Sequence, residues 1–366
     1  MEENDSRLPD ENQVRSEEDK PRSAFEDLMF MDEPQTESPQ TIQSVTQEVA
    51  APPLKKVNYF KRDLGLSSIT GGLTYSLAVL LYVGLSFFIS FILGIANVNT
   101  DGNVFIYVSS LVSPLAICIT LAVILCTRKV KFKEIFPVKT NAKYYLMAVL
   151  LTFGMLFIGS IVSTFFLNFL EIIGYTPDDS FLPDVSGVQI LPAIIFMALI
   201  PAFFEELLFR GIILHSAEQS MGSVRAIFVT GFCFALMHGS AQQTVHQFLL
   251  GCMLSFLTVR SRSVLPAMLV HFLNNLIAVV MLAFSDSLGL AVTMEEFTPA
   301  DMLLGLFVYA AIGAAIGMFV WLINDRRKPL LAGKKYGVSN FFIGASVGIA
   351  IMSVMWILDL FLSIAA

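Results

Sequence analysis

Ala198-Leu-Ile-Pro-Ala-Phe-Phe-Glu-Glu-Leu-Leu-Phe-Arg210 is the stretch whose reading decides the fold. It sits within a longer apolar segment, about 188–215, which has the length of a membrane-spanning helix. Two adjacent carboxylates, Glu205 and Glu206, interrupt it. A charged side chain at bilayer depth costs roughly 2.5–3.5 kcal/mol on insertion scales. Two in succession mark a working site rather than packing.

Working outward, the rest of the chain has the composition of its bilayer-spanning centre. Of 366 residues, 55% are hydrophobic and only 14% charged, against about a quarter charged in soluble domains. Eight further apolar segments read as helices, because lipid offers no water to satisfy backbone groups. With the first, they run approximately 70–96, 104–126, 144–173, 188–215, 225–238, 243–259, 264–284, 302–323 and 340–365. The fifth and sixth are the weakest and are joined by the brief Gly239-Ser-Ala-Gln turn, as in a hairpin. The expected fold is an all-α polytopic integral membrane protein of about eight to nine transmembrane helices, occupying 67–366.

Residues 1–66 carry 15 Asp/Glu and 8 Lys/Arg, which accounts for the whole net charge of −7. Up to about residue 52 the chain is too poor in apolar surface to offset ordering entropy, so it is expected to form a disordered acidic tail. Phe25-Glu-Asp-Leu-Met-Phe-Met31 is a possible docking element for a tail-bound protein partner, although an unused transient helix is the plainer reading. Lys55, Lys56, Lys61 and Arg62 suit an anionic cytoplasmic leaflet. No short apolar segment with a small-residue cleavage site opens the sequence, so a cleaved signal peptide is not expected. No nucleic-acid partner is expected.

Charge bias orients the helices. The loops 97–103, 174–187 and 285–301 contain no Lys or Arg, whereas the alternate loops are rich in them. This predicts a multi-pass cell-membrane protein with a cytoplasmic N-terminus. Cys118, Cys126, Cys233 and Cys252 lie in apolar segments without metal or disulfide spacing, and they read as small buried core residues.

Polar groups recur in three segments: Glu205, Glu206 and Arg210; His238, four residues after Phe234; and His271 with Asn275. Spacings of four put each pair on one helix face. At the 1.5 Å helical rise, Glu205, His238 and His271 lie roughly 16, 20 and 13 Å from the inner loops, so the three helices deliver their polar groups to a similar level. Glu206 is expected to pair with Arg210, and Glu205 to face a cavity. Pro201 lacks the N–H that would bond residue 197, which frees a carbonyl one turn before the glutamates.

A carboxylate among imidazoles is suited to act as a general base on water, and an Asn amide supplies donors for a developing oxyanion. No G-x-S-x-G is present to provide a nucleophile. Glu205, His238 and His271 would equally suit a divalent metal such as zinc, although no H-E-x-x-H occurs. The cofactor reading is therefore none or a divalent metal. His215, at the predicted cytoplasmic end of its helix, reads as a surface histidine. His246 matches no pattern.

Glu205-Glu206-Leu-Leu-Phe-Arg210 resembles the E-E-x-x-x-R motif of the CAAX-processing and bacteriocin-processing intramembrane proteases, the CPBP or Abi family. Phe234-Ala-Leu-Met-His238 is similar to its F-x-x-x-H motif and His271-Phe-Leu-Asn-Asn275 to its H-x-x-x-N motif, together covering about 188–285. The resemblance implies an eight-helix-like core, a site open to membrane and cytosol, and peptide-bond hydrolysis. Glu205 and His238 would activate the water, His271 and Asn275 would stabilise the oxyanion, and Glu206 and Arg210 would hold the site together. The substrate implied is a prenylated protein or a small membrane-associated peptide, and bacterial relatives are linked to bacteriocin maturation or self-immunity. A non-catalytic scaffold or self-immunity factor recruiting partners through the tail is the competing class. A proton-coupled transporter is a further one, weakened by the absence of an internal repeat.

Overall fold

Helix α1, Ser68–Ile95, begins where Ser67 accepts a hydrogen bond from the Thr70 amide at 3.4 Å, satisfying one of the donors left free at a helix start. The remaining apolar helices are α2 (Asn103–Arg128), α3 (Lys143–Ile172), α4 (Gly187–Met221), α5 (Ser223–Met237), α6 (Thr244–Ser261), α7 (Leu265–Leu288), α8 (Pro299–Asn324) and α9 (Gly337–Ala365). A single turn, Phe132–Ile135, lies between α2 and α3. The computed structural model describes residues 66–100, 102–136, 140–177, 185, 187–288, 299–325, 330–333 and 335–365. All belong to one compact unit, Leu54–Ala366, and contain no strand. The expected acidic tail, the 25–31 cluster and the basic residues at 55–62 lie outside the described residues.

The helices follow the nine apolar segments closely. Seven of them, all but α5 and α6, are long and apolar enough to cross a membrane, and the chain is a multi-pass membrane protein. The two weak segments pack along each other as the expected hairpin. Their contact is close because Gly231 and Gly251 face each other: a Cβ on Gly231 would fall 3.0 Å from the Cys252 amide nitrogen, and one on Gly251 3.0 Å from the Gly231 Cα. Small residues do the same between α1 and α9. A Cβ on Gly72 would fall 2.6 Å from the Ala345 nitrogen, and one on Gly344 2.8 Å from the Leu73 nitrogen. Across that seam Ser76 Oγ donates to Gly344 O at 2.8 Å and accepts from Gly348 N at 3.0 Å. Between helices in lipid, such packing and polar bridges replace the hydrophobic driving force available in water.

Two prolines interrupt helices as their chemistry requires. In α2 the α-helix breaks at Leu111, three residues before Pro114, which cannot donate to the Ser110 carbonyl. Around Pro201, α4 departs from α-geometry twice, with π-helical turns at Ile194–Leu199 and Leu207–Ile213 bracketing the α-helical Ile200–Glu206. Such turns gather at functional sites.

Charged groups collect at one end of the bundle, where the loops predicted to be cytoplasmic meet. Glu218 pairs with Arg262 at 3.2 Å and accepts from Ser223 Oγ at 2.6 Å, tying the α4–α5 junction to the end of α6. Arg260 donates to Ile323 O and Asp325 O at 2.7 and 3.2 Å, which secures the end of α8. His215 corrects the surface reading: it is buried, with Gln219 Nε2 2.9 Å from its Nε2, because α4 is covered at that level by its neighbours. The cysteine reading is corrected in part. Cys233 is buried, but Cys118 and Cys126 are exposed on α2, on faces that an apolar solvent would cover.

Candidate active site

Arg210 organises the centre of α4. It is the largest side chain with no exposure at all. Nη1 donates to Glu206 Oε1 at 2.7 Å and Nη2 to the Gly251 carbonyl of α6 at 2.9 Å. The guanidinium carbon lies 4.6 Å from the centre of the Phe234 ring, so a cation–π contact helps to hold the charge in this dry environment. Phe234 also stacks edge-on with Phe209, His238 and His271, at 5.1, 4.9 and 5.7 Å between centroids. One aromatic ring thus sets the spacing between the helix that carries the arginine and the two histidines.

The two adjacent glutamates diverge. Glu206 is fully buried, and its Oε1 accepts from both Arg210 and His271 Nδ1, the latter at 2.9 Å. Glu205 keeps 16% of its side-chain surface exposed, and its Oε2 lies 4.0 Å from His271 Nε2. His271 therefore spans the pair, one ring nitrogen on each carboxylate. The sequence pairs Glu206 with Arg210; it gives no sign of the bond from α7.

Hydrogen bonding fixes the histidine tautomers. His238 Nδ1 is 2.8 Å from the Phe234 carbonyl. That oxygen can only accept, so Nδ1 carries the proton and Nε2 is left with its lone pair. By the same reasoning His271 Nδ1 carries the proton it gives to Glu206. On α7, Asn275 Nδ2 donates to Met197 O at 3.2 Å. This is the carbonyl that Pro201 strips of its helical partner, now satisfied from a neighbouring helix. Asn274 Nδ2 in turn donates to Asn275 Oδ1 at 3.3 Å.

Glu205, His238, His271 and Asn275 line one cavity of about 570 Å³. Ser110, Gln243 and Gln247 add polar groups to it, and Phe196, Met197, Pro201, Ala278, Val279 and Leu282 supply an apolar wall. Glu206 and Arg210 stand behind that lining. The structure thus brings four of the six predicted site residues to the cavity and the other two to its buried support. Sequence reasoning missed Asn274, Gln243 and Gln247, and it foresaw the Met197 carbonyl only as one freed by Pro201. Nothing in the pattern signals the three side chains.

The turn after His238 is anchored from the far end of the chain. Asp359 of α9 accepts from the Ala241 amide at 2.8 Å and from Tyr175 Oη at 3.5 Å. Trp356 Nε1 donates to Thr244 Oγ1 at 2.7 Å. Burial pushes the Tyr175 phenol up, and the nearby Asp359 adds to that shift.

Glu205, His238 and His271 do not fit a metal as they stand. Among the described residues no three His, Cys, Asp or Glu side chains are grouped closely enough to hold an ion.

Residues 187–277 match the family model described as type II CAAX prenyl endopeptidase Rce1-like. That match begins with α4 and ends two residues past Asn275, enclosing all the motif residues. No curated protein and no solved structure matches the chain. Through this segment, set within a multi-pass helical bundle, the chain is similar to the Rce1-like, CPBP family of type II CAAX prenyl endopeptidases, which are intramembrane proteases.

Proposed function

We propose that the chain hydrolyses a peptide bond near the membrane, in a prenylated protein or a small membrane-associated peptide, using a water activated by Glu205 and His238. The observation that carries this reading is the cavity itself. A partly exposed carboxylate, an imidazole with a free Nε2 and an Asn amide line one space, and a charge-balanced buried pair supports it from behind.

Glu205 accepts a proton from the water while His238 Nε2 accepts its second hydrogen bond and aims the oxygen. The oxygen attacks the carbonyl carbon. The resulting oxyanion accepts hydrogen bonds from the second Asn275 Nδ2 N–H and from His271 Nε2–H, with no proton transferred. To donate there while donating to Glu206, His271 carries both ring protons. Its charge then offsets one carboxylate and Arg210 offsets the other, leaving a buried cluster of zero net charge. The C–N bond breaks, and Glu205 returns its proton to the departing amine. No metal takes part in this scheme. The lysine and arginine bias of the loops supports a cell-membrane location with the N-terminus in the cytoplasm.

The test is cleavage of a fluorogenic, farnesylated peptide ending in a C-a-a-X sequence by purified chain in liposomes, with the products read by mass spectrometry. Release of the terminal tripeptide, abolished by His238→Ala, supports the proposal. Release undiminished in His238→Ala contradicts the water-activation scheme. No cleavage of this probe or of unprenylated membrane peptides, alongside solute counterflow, would favour a transporter.

A further inference from the structure

Glu205 and His271 mark a common level on α4 and α7, 4.0 Å apart. The two helices run antiparallel past it, for Asn275 on α7 bonds back to Met197 on α4. Every other cavity residue on these helices lies to one side of that level. At the helical rise, Pro201, Met197 and Phe196 stand about 6, 12 and 14 Å back along α4, and Asn275, Val279 and Leu282 about 6, 12 and 17 Å on along α7. Ser110 near the start of α2 and Gln243 just before α6 complete the same side, and Gln243 and Ala278 carry the lining to the exposed surface. The opposite side is packed shut. Every residue from Glu206 to Glu218 is buried, as is every residue from Leu254 to Ser261 on α6. The turn Phe132–Ile135 closes over α4 there, since a Cβ on Gly211 would lie 2.8 Å from the Ile135 carbonyl oxygen. Among the described residues every lysine and arginine except Arg210 lies on this packed side, at a helix end or in a loop, from Arg128 and Lys143 to Arg262 and Lys335. Basic loops of this kind stay in the cytoplasm, which makes the cavity side the outer one.

We infer that the cavity admits its substrate from the membrane face opposite the basic loops, and that this substrate is an uncharged, largely apolar segment of an exported or membrane-anchored peptide presented on the outer face. The inference rests on the proposed hydrolysis at Glu205 and departs from the opening to the cytosol that the family resemblance implies. Phe196, Met197, Val279 and Leu282 give such a segment an apolar wall. Gln243 and Gln247 give its backbone hydrogen-bonding partners, in the manner of ligand sites that combine apolar walls with a few placed polar groups. Gln247 Oε1 is buried and has no partner of its own among the described residues, so an acceptor is left open for a substrate N–H.

The test has one arm that needs no activity and one that reads it. In the full chain with its own cysteines replaced by alanine, Ala278→Cys and Lys131→Cys are made separately and exposed, in intact spheroplasts, to a membrane-impermeant maleimide. Ala278→Cys is expected to be labelled without permeabilisation and Lys131→Cys only after it. Labelling of Ala278→Cys only after permeabilisation or not at all, or labelling of Lys131→Cys without it, overturns the inference. In the second arm a quenched, uncharged apolar peptide coupled to dextran, which cannot cross a bilayer, is given to sealed vesicles of either orientation containing the wild-type chain. Cleavage is expected in right-side-out vesicles and lost in inside-out ones. The reverse overturns the inference and leaves the hydrolytic reading standing. Cleavage in neither orientation, while the farnesylated peptide is cut, overturns the substrate class. If neither probe is cut in vesicles or in detergent, the hydrolytic reading falls and takes the substrate class with it, whereas the labelling result still decides the side of entry.

Discussion

Replacing Glu206 with leucine removes the acceptor shared by Arg210 and His271 while leaving both donors in place. Both members of the ion pair are fully buried, 2.7 Å apart. Breaking one side of such a pair is destabilising by about 3–5 kcal/mol. The stranded His271 Nδ1 adds about 1–3 kcal/mol. Arg210 keeps its bond to Gly251 O and its contact with Phe234, which limits the loss to about the lower half of the combined range. Removing the arginine as well, in Glu206→Leu/Arg210→Met, deletes the uncompensated charge and should recover most of the first contribution, though not the second. The assay is thermal unfolding in a mild detergent, followed by intrinsic fluorescence, for wild type, both single variants and the double. The reasoning predicts that each single variant unfolds well below the double. A double variant no more stable than the worse single one would refute it, since the pair would then be packing by volume and not by charge.

Other expectations follow from particular contacts. Asp359→Ala removes the acceptor for the Ala241 amide and should lower kcat several-fold by loosening the turn after His238. Asp359→Asn, which keeps an acceptor, should retain most activity, and equal rates in the two variants would dismiss the anchor. Gly344→Leu puts a side chain where a Cβ alone would lie 2.8 Å from the Leu73 nitrogen, so the α1–α9 seam should part and the yield of folded chain should collapse. A normal yield would show that the seam is slack. Because Glu205, His238 and His271 are not grouped as metal ligands, activity should survive dialysis against a strong chelator. Loss of activity restored by zinc alone would contradict the metal-free scheme.

The helices were legible because lipid imposes long apolar runs, and the charged loops sort to one side of them. The convergence of Glu205, His238 and His271 was legible from helical rise alone, and the pairing of Glu206 with Arg210 from a spacing of four. Pro201 announced a free carbonyl; that Asn275 would satisfy it depends on how α7 leans on α4. The shared bond of His271 to Glu206 was not legible, for it requires the depth and rotation of two helices together. The π-helical turns on either side of Glu205 were hidden too, since no residue type encodes them. His215 was misread because the end of α4 was taken as the end of the packed bundle, whereas other helix ends close over it. Anchoring by Asp359 and Trp356 spans more than a hundred residues of sequence and becomes visible only once α9 is in place.

The central claim is that Glu205 activates the water that cleaves the substrate. Glu205→Gln keeps the size and polarity of the side chain and removes its basicity, and Glu205 is partly exposed and 4.0 Å from His271 Nε2, whereas Glu206 sits in a fully buried ion pair 2.7 Å from Arg210. The direct measurement is single-turnover cleavage of the farnesylated peptide by wild-type and Glu205→Gln protein in matched liposomes, with unfolding temperatures taken on the same samples. The account predicts unchanged unfolding and a rate reduced by at least about 10²-fold, the span of general-base catalysis. A Glu205→Gln protein that folds normally and cleaves at the wild-type rate would contradict it.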